Sequence, residues 1–438
     1  MTCATAIVLP ARGVQGLVRI PGDKSISHRY AMLAAIARGT SRFHNFSAAR
    51  DCASTLGCAS QLGATWRRAE NEEGGAIEVS GLGPSLHAPS APLDCGNSGS
   101  TMRMLSGILA GQPFLSELFG DESLSRRPMA RIIKPLTEMG ATIASSDAGR
   151  PPLTIHGGKL RAIEYKPEIA SAQVKSCVLF AGLFADGQTV VEEPIRTRDH
   201  GELALQAFGA EVETKKAEHG GNVVRIRGGQ PLSAIEACVP GDLSSAAFFL
   251  CGAVLFRGSQ ITLPGILMNP TRARLLDILM QMGLRVSVTQ IEQHHGELVG
   301  TIEARGDTWK GGTIAGADTA ALIDEIPVLA AIAPYSENGL EVRDAKELRV
   351  KESDRIAAVA TNLRKMGAEV EERPDGLRIP GHQRLRGAEL ESLGDHRVAM
   401  AFAIAALRVE GETTILGADA AGVSYPTFFN DLRSIAAP

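Results

Sequence analysis

Cationic and hydroxyl side chains stand together in the segment "PGDKSISHR", just before the apolar run 30–36. Pro21 and Gly22 are turn formers and Asp23 is a typical helix N-cap, so the pattern predicts a helix that begins here. The N-terminus of a helix presents free N–H groups and a partial positive charge. Lys24 and Arg29 add full charges to that field, so the segment predicts an anion site.

Five more alanine-rich helices are predicted, and their N-terminal residues resemble this one in type. Serine, aspartate and asparagine cap helices in proteins of every function, and capping is our preferred interpretation for Asp242 and Ser244. Arg103 and Arg397 instead add positive charge at their helices. If the six helices point at one cleft, that cleft binds a small polyanion, or two. The other openings are Asn97-Ser98-Gly99-Ser100, Ser171-Ala172-Gln173, Asp242-Leu243-Ser244-Ser245, Asp324-Glu325 and Asp395-His396-Arg397.

Three basic segments lie between the predicted helices, and each by itself is typical of a solvated loop. In the last of them Lys351 and Arg355 are four residues apart and would share one face if helical, with Glu352 beside them. That mixture fits either a surface ion network or a cation site with a general acid. The segments are "SLSRRPM" with Arg126 and Arg127, "EPIRTRDH" with Arg196 and Arg198, and "ELRVKESDR" at 347–355.

A glycine pattern recurs along the chain and indicates an internal repeat. Each copy follows a helical pattern such as Ile356, Val359 and Leu363, and precedes a strand-like run. The glycine suits a helix C-terminus, where positive φ is needed. We infer six copies of helix, strand, helix, strand, strand, the last one truncated. The glycines are Gly63, Gly140, Gly209, Gly283 and Gly367.

Six copies in 438 residues favour two domains of three copies each, because one core rarely serves so long a chain. The tripeptide Pro-Gly-Asp occurs at 21–23 and 240–242, where we expect the chain to cross between domains. One domain would then combine residues 1–22 with 240–438, and the other would be 23–239. The predicted class is a mixed α/β (α+β) fold, with sheets packed on helices.

Composition excludes several classes of protein. A net charge of −4 and 4% aromatic residues argue against a nucleic-acid surface, and the P-loop and dinucleotide fingerprints are absent. The seven cysteines form no C-x-x-C pair and no metal-ligand cluster, so they are expected to be reduced core residues. The apolar stretch 246–256 is too short to span a membrane, and the N-terminus lacks a leader pattern, so a cytoplasmic location is expected.

Seven segments in order along the chain resemble the 5-enolpyruvylshikimate-3-phosphate synthase family. They are "PGDKSISHR", "LDCGNSGSTMR", "SAQVKSCVLFAGL", "TRDHGE", "DEIPVLA", "ELRVKESDR" and "GDHRVAMAF". The resemblance implies two pseudo-symmetric domains of three βαβαββ units, with the active site between them. It also implies transfer of the enolpyruvyl group of phosphoenolpyruvate to the 5-hydroxyl of shikimate 3-phosphate with release of phosphate. A monomer without metal or organic cofactor is implied as well.

The resemblance also implies a role for individual residues. Asp324 would take the proton of the 5-hydroxyl, Glu352 would protonate the vinyl methylene, and Lys24 is a second candidate proton donor. Shikimate 3-phosphate, on the side of 23–239, would be bound by Lys24, Ser25, Arg29, Ser171, Ala172, Gln173, Arg198, Asp324 and Lys351. Phosphoenolpyruvate, on the other side, would be bound by Lys24, Asn97, Gly99, Arg127, Gln173, Arg355 and Arg397. Arginine suits carboxylate and phosphate oxygens because its N–H groups form a fork.

Two positions depart from a pattern that some members show. Ala172 stands where they have serine, and Arg198 would supply the missing phosphate contact. Val423 stands where they have a lysine, so the phosphate contact made by that lysine has no counterpart at this position. The nearest alternative is the related transferase that puts enolpyruvyl on a UDP-amino sugar, against which Ser25 and the "KESDR" cluster speak. A non-catalytic anion- or RNA-binding relative is a remote alternative. The resemblance further implies that glyphosate competes with phosphoenolpyruvate beside Gly99.

Overall fold

The computed structural model describes residues 4–69, 76–218 and 220–437. These residues divide into two compact units. The terminal unit comprises Met1–Pro21, Pro240–Glu292 and Leu298–Pro438, and the inserted unit comprises Gly22–Val239 and Gln293–Glu297. Two separate segments of the chain therefore belong to the inserted unit. The short second segment, 293–297, was not predicted from the sequence.

The inserted unit contains three four-stranded sheets of one design. In each, the first two strands are parallel and the third and fourth are added antiparallel. In spatial order the sheets are Glu236–Cys238, Arg38–His44, Ala76–Leu82 and Thr65–Ala69; Leu93–Asp94, Leu115–Phe119, Arg150–His156 and Thr142–Ser146; and Glu164–Tyr165, Gln188–Glu192, Asn222–Arg227 and Val212–Lys216. A parallel pair, Leu160–Arg161 with Ala185–Asp186, lies beside them.

Among the described residues, the terminal unit contains three sheets of related design with five, four and three strands, and it takes strands from both ends of the chain. In spatial order its sheets are Arg285–His294, Glu297–Arg305, Gln260–Leu267, Gly13–Leu17 and Ala436–Ala437; Gly312–Ile314, Leu340–Val342, Gly376–Ile379 and Glu371–Arg373; and Glu389–Glu391, Thr413–Leu416 and Thr5–Val8. The N-terminal strand Thr5–Val8 thus completes the sixth, truncated copy by pairing antiparallel with Thr413–Leu416.

Helices connect these strands. Numbered along the described residues, they are α1 (Lys24–Ala35), α2 (Arg50–Gln61), α3 (Gly99–Ala110), α4 (Glu122–Ser125), α5 (Ala130–Met139), α6 (Ala172–Gly182), α7 (His200–Ala207), α8 (Leu243–Val254), α9 (Arg274–Gln281), α10 (Ala317–Ala321), α11 (Ile326–Ile332), α12 (Arg355–Lys365), α13 (His396–Ala405) and α14 (Phe428–Ile435). Short 3₁₀ turns occupy Asp147–Gly149, Ala333–Tyr335, Lys346–Val350, Ala406–Arg408 and Ala418–Val423.

The alanine-rich helices are buried on almost every side. In α8 every residue is buried, and in α1 burial extends from Ile26 to the last residue. A helix that is apolar all round packs inside a core, whereas α5 and α9 each bury one face only. The predicted α/β arrangement, with helices covered by sheets, is confirmed.

The repeated glycines lie where the sequence predicts them, just past a helix end. Their φ angles are +100° at Gly63, +114° at Gly140, +93° at Gly209, +114° at Gly283 and +90° at Gly367. Each lets the chain leave a helix through the left-handed region at no steric cost. This local rule explains why the repeat can be read from single residues.

Two further observations concern the whole described chain. Within residues 4–69, 76–218 and 220–437, no helix has the length and apolar character needed to cross a membrane. The cysteines in these ranges are free thiols, and all except Cys238 are buried. Cys3 lies outside the described residues.

Candidate active site

The N-terminus of α1 carries the first predicted cations. Asp23 caps the helix, because its Oδ1 accepts a hydrogen bond of 2.9 Å from the Ile26 N–H. The Lys24 ammonium lies 2.8 Å from Asp51 Oδ2 and keeps 21% of its side chain exposed. Lys24 is therefore held in place by a carboxylate while it still faces solvent.

Arg29, one turn later, is buried among neutral acceptors. Its Nη2 donates to Ser176 Oγ at 2.9 Å, and its Nη1 donates to the Ser25 carbonyl at 2.8 Å. Burial is the main reason that the pKa of Arg29 is lowered to about 10, although Glu202 opposes the shift. Arg198 lowers the same pKa further, because a like charge disfavours the guanidinium.

The N-termini of α3 and α6 are joined by one glutamine. Gln173 accepts from Arg103 Nη1 at 2.7 Å through its Oε1, and its Nε2 donates to Ser100 Oγ at 2.8 Å. Ser171 caps α6 by accepting from the Val174 N–H at 3.4 Å. Since Arg29 also reaches the Ala172 carbonyl at 3.5 Å, three predicted helix N-termini meet within the inserted unit.

Gly99 lies beside two of the predicted arginines. A methyl group placed on it would lie 3.3 Å from Arg103 Nη1 and 3.4 Å from Arg127 Nη1. Arg127 donates to Asn97 Oδ1 at 2.8 Å, and Asn97 donates to Asp121 Oδ2 at 2.7 Å. The absence of a side chain at Gly99 therefore lets two guanidinium groups approach the start of α3.

The two basic loops of this unit differ from residue to residue in exposure. Arg127 and Arg198 are partly buried, whereas Arg126 and Arg196 are exposed. Arg126 pairs with Glu122 and Arg196 pairs with Asp199 at 2.9 Å. The interpretation as a solvated loop therefore suits Arg126 and Arg196.

In the terminal unit, a cluster of carboxylates surrounds Arg355, the first residue of α12. Its Nε lies 2.8 Å from Asp395 Oδ2 and its Nη2 lies 2.7 Å from Glu352 Oε2. Its Nη1 is 3.6 Å from Asp324 Oδ1 and forms no hydrogen bond with the described residues. Burial disfavours the charge, yet Asp395, Glu352 and Asp324 together raise the pKa of Arg355 above its ordinary value.

The chain is not helical between Lys351 and Arg355, so the condition under which these two cations would share a helical face is not met. The 3₁₀ turn ends at Val350, Lys351 has extended backbone, and α12 begins only at Arg355. The two cations nevertheless approach the same carboxylate, with Lys351 Nζ at 3.8 Å from Asp324 Oδ1. Lys351 also lies 3.3 Å from Glu347.

The "ELRVKESDR" segment contains the surface ion network that was one of its two interpretations, and a cation site with a general acid stays a prediction. Arg349 Nη1 pairs with Asp354 at 2.8 Å and with Glu372 at 3.0 Å, which is a partly exposed ion network. Arg355 instead lies near Asp324 and the buried Asp395, and Glu352 pairs with Arg355. Glu352 and Arg355 are therefore the candidates for chemistry in this segment.

Arg397 lies at the start of α13, which Asp395 caps through a 2.8 Å bond from the Arg397 N–H. Its Nη1 is 3.8 Å from Glu325 Oε1 and 3.5 Å from the Ser244 carbonyl. Its guanidinium also lies 5.9 Å from the centre of the Phe248 ring. Arg397 is thus fixed by both a carboxylate and an aromatic face.

The preferred interpretation of Asp242 and Ser244 as a cap describes only part of what they do. Asp242 does accept from the Ser244 N–H at 2.9 Å. In addition, the Ser244 hydroxyl hydrogen-bonds Glu325 and accepts from Arg272 Nη2 at 2.5 Å. Arg272 is buried and was not singled out from the sequence, where "NPTRAR" reads as an ordinary helix start.

At the fifth opening the helix begins later than its acidic pair. Helix α11 begins at Ile326, and the structure shows no side-chain cap from Glu325. Asp324 and Glu325 are therefore not capping residues; they contact arginines instead. Among the described residues, no group of three or more His, Cys, Asp or Glu side chains has the arrangement of a metal site.

Chemically, the two units offer different groups. The inserted unit presents cations and hydroxyls at helix N-termini, a combination suited to phosphate and carboxylate oxygens. The terminal unit presents carboxylates held against cations, a combination suited to proton transfer.

Comparison with known proteins gives concordant results. The sequence pattern of the family "EPSP synthase (3-phosphoshikimate 1-carboxyvinyltransferase)" matches residues 9–432. The chain is 60% identical to a 3-phosphoshikimate 1-carboxyvinyltransferase of Koribacter versatilis over 98% of each chain, and 54% identical to one of Solibacter usitatus over 98% and 99%. It is also similar to a solved EPSP synthase of Acinetobacter baumannii, with a TM-score of 0.86 and 40% identity over 99% of this chain and 98% of that one.

Proposed function

The chain belongs to the EPSP synthase (3-phosphoshikimate 1-carboxyvinyltransferase) family, and on that premise we propose which residues carry out its reaction. The enzyme transfers the enolpyruvyl group of phosphoenolpyruvate to the 5-hydroxyl of shikimate 3-phosphate and releases phosphate. The reaction belongs to the shikimate pathway, which leads to chorismate and the aromatic amino acids. Its chemistry needs two anion sites, a base for the hydroxyl and an acid for the vinyl carbon.

Shikimate 3-phosphate is bound chiefly by the inserted unit. The proposal is supported by the meeting of three helix N-termini around Arg29, Gln173 and Ser171. Arg29 and Ser25 hold the ring and its carboxylate, while Ser171 and Arg198 hold the 3-phosphate. Ala172, which has no hydroxyl, contributes only its place beside Ser171. Lys351 and Asp324 contact the ring hydroxyls from the terminal unit.

Phosphoenolpyruvate is bound by arginines of both units. Arg127 is held by Asn97 beside Gly99. We expect Lys24 to touch both substrates and Gln173 to lie between them. In the terminal unit, Nη1 of Arg355 has no hydrogen-bond acceptor among the described residues, which suits it to a ligand oxygen. Arg397 provides a second fork. Because Val423 carries no charge, these arginines make the phosphate contacts.

The cluster of Asp324, Lys351, Glu352 and Arg355 is the single observation that carries the catalytic assignment. Asp324 accepts the proton of the 5-hydroxyl as its oxygen attacks the central carbon of phosphoenolpyruvate. Glu352 gives a proton to the methylene carbon, and the tetrahedral adduct forms. Loss of a proton from the new methyl group back to a carboxylate then expels phosphate and restores the double bond. Lys24 is the competing proton donor.

Phosphate release tests the assignment. Purified protein given both substrates should release phosphate, and omission of either substrate should abolish release. Replacement of shikimate 3-phosphate by a UDP-amino sugar should also abolish it. Phosphate release with the UDP-amino sugar alone as acceptor would instead favour the related transferase.

Three wider features stay predictions from the sequence and are included in the proposal. They are a monomeric state, a cytoplasmic location and the absence of a nucleic-acid partner. Light scattering at several protein concentrations tests the first, since a monomer keeps one mass throughout.

A further inference from the structure

A buried lysine lies beneath the proposed phosphate site. Lys175 is on α6, one turn after the capping Ser171, and only 1% of its side chain is exposed. Its ammonium lies 2.9 Å from Glu193 Oε2 and 2.6 Å from Glu202 Oε1. Those carboxylates are themselves 1% and 3% exposed.

The two carboxylates stand at opposite ends of one loop. Glu193 follows the strand Gln188–Glu192, and Glu202 lies in the first turn of α7. Arg198 lies between them. The Thr197 hydroxyl also hydrogen-bonds Glu193, which ties the middle of the loop to the same cluster.

The neighbouring residue on α6 holds the other arginine of the site. Ser176 accepts from Arg29 at 2.9 Å, next to the lysine that holds the loop. Arg198 and Glu202 both act on the pKa of Arg29, with Arg198 lowering it and Glu202 raising it. One helix therefore sets the position of Arg29 through Ser176 and of the Arg198 loop through Lys175.

Stability alone does not explain such a cluster. Burying charges costs solvation energy, and buried ion pairs often stabilise no more than apolar residues of the same size. Burial raises the pKa of Glu202, although Lys175 opposes the shift. Removal of the ammonium would leave two adjacent carboxylates that repel each other, and the loop between them would move.

We propose that Lys175 is a positioning residue for the 3-phosphate of shikimate 3-phosphate. It does not touch the ligand; it holds both ends of the Arg198 loop against the helix whose N-terminus, at Ser171, faces the same phosphate. The inference rests on the proposed function of Arg198 and Ser171. It predicts that loss of Lys175 weakens the binding of the 3-phosphate and leaves the binding of the shikimate ring unchanged.

The test compares two ligands that differ only by that phosphate. Calorimetry gives the affinity of the full-length protein for shikimate 3-phosphate and for shikimate. In Lys175→Met, affinity for shikimate 3-phosphate should fall by about ten- to a hundredfold, as for a misplaced charged contact, while affinity for shikimate changes less than about threefold. A general structural loss would lower both affinities alike, and that result would overturn the proposal.

A second comparison asks whether Lys175 acts through Arg198. Once Arg198 is replaced by alanine, adding Lys175→Met should weaken shikimate 3-phosphate binding by less than about threefold, because the loop has nothing left to position. Full additivity of the two substitutions would contradict the inference. Lys166→Met is the matched control, because Lys166 pairs with Glu192 at 2.7 Å but is 70% exposed, and it should leave both affinities unchanged.

Two further outcomes are decisive. Glu193→Gln removes one charge at nearly constant volume, and it should reduce the ratio of the two affinities severalfold. If neither this variant nor Lys175→Met folds, the cluster serves the fold, and the positioning role is wrong. Failure of the proposed function is a separate result, because it would appear as absent phosphate release by the unaltered enzyme in an assay that does not involve Lys175.

Discussion

Two buried arginines, one in each unit, have opposite surroundings. Arg29 in the inserted unit donates its hydrogen bonds to hydroxyl and carbonyl oxygens, and burial lowers its pKa to about 10. Arg355 in the terminal unit lies among Asp395, Glu352 and Asp324, which raise its pKa despite equal burial. The hydrogen-bond partners of the side chain are neutral oxygens in one unit and carboxylates in the other.

The difference separates binding from proton transfer. An arginine that is held by neutral groups gains most from an anionic ligand, because the ligand supplies the missing counter-charge. Arg355 fixes the position of the three acids around it, and its Nη1, which has no hydrogen bond among the described residues, stays available to a ligand oxygen. We therefore expect substitutions around Arg29 to change affinity and substitutions around Arg355 to change turnover.

The largest expected effect is that of Glu352→Gln. The amide keeps the size of the side chain but has no acidic proton to give, so kcat should fall by about 10²–10⁴ while both KM values stay within a few fold. Steady-state kinetics with each substrate varied measures this. Glu347→Gln is the control, because Glu347 also lies near Lys351 but its side chain is 59% exposed. Equal losses in the two variants would remove Glu352 from the mechanism.

Arg29→Lys tests the other half of the comparison, the prediction that substitutions around Arg29 change affinity. Lysine keeps the charge but cannot hold Ser176, the Ser25 carbonyl and a carboxylate at once, so KM for shikimate 3-phosphate should rise by about ten- to a hundredfold. The values of kcat and of KM for phosphoenolpyruvate should change much less. Arg38→Lys, at an exposed position just past the same helix, is the matched control. A fall in kcat alone would mean that Arg29 belongs with the catalytic groups.

Asp395→Asn tests whether the acids around Arg355 stabilise the fold. Burial opposes ionisation of Asp395, but Arg355 lowers its pKa below the ordinary 3.8. The contribution of ionised Asp395 to the unfolding free energy is therefore complete above about pH 4. It is lost as the pH falls through the lowered pKa of the folded state. At pH 7 the unfolding free energy of the variant should be about 1–3 kcal/mol lower than that of the unaltered protein. This difference should become smaller in acid. Urea titrations between pH 7 and 3 measure the unfolding free energy of both proteins. A difference that does not change with pH would mean that the charge of Asp395 beside Arg355 does not stabilise the fold.

The smallest expected effect is that of Gly99→Ala. The added methyl would press on Arg103 and Arg127 at 3.3–3.4 Å, and these flexible ends can shift slightly. Glyphosate, which is longer than phosphoenolpyruvate, should be affected first, with its inhibition constant rising about tenfold relative to KM for phosphoenolpyruvate. Parallel increases in the two constants would rule out selective crowding.

Helix N-termini were predictable because a cap depends on residues two or three apart. Asp23, Ser98, Ser171 and Asp395 all cap as their types suggest. The five glycines after helices were predictable for the same reason. The family's motifs added the names of the site residues, and their individual roles stay predictions.

The partners of those residues were not predictable, because they come from distant parts of the chain. Arg355 meets Asp395 forty positions later, and Lys175 meets Glu193 and Glu202 across a strand and a loop. Nothing in the local pattern distinguishes Lys175 from a surface lysine at the same spacing. Only the folded sheets bring such side chains together, so the buried ion clusters became visible only with the structure.

The strand Thr5–Val8 has a consequence for how the protein is made. Its partner Thr413–Leu416 lies roughly 400 residues later, so a ribosome that adds 5–20 residues per second needs about 20–80 s to deliver it. The inserted unit can fold in that interval, whereas the strand Thr5–Val8 has no pairing partner until Thr413–Leu416 is synthesised. Nascent chains halted before residue 413 should therefore recruit chaperones that protect the N-terminal strand, and synthesis rate becomes a determinant of yield.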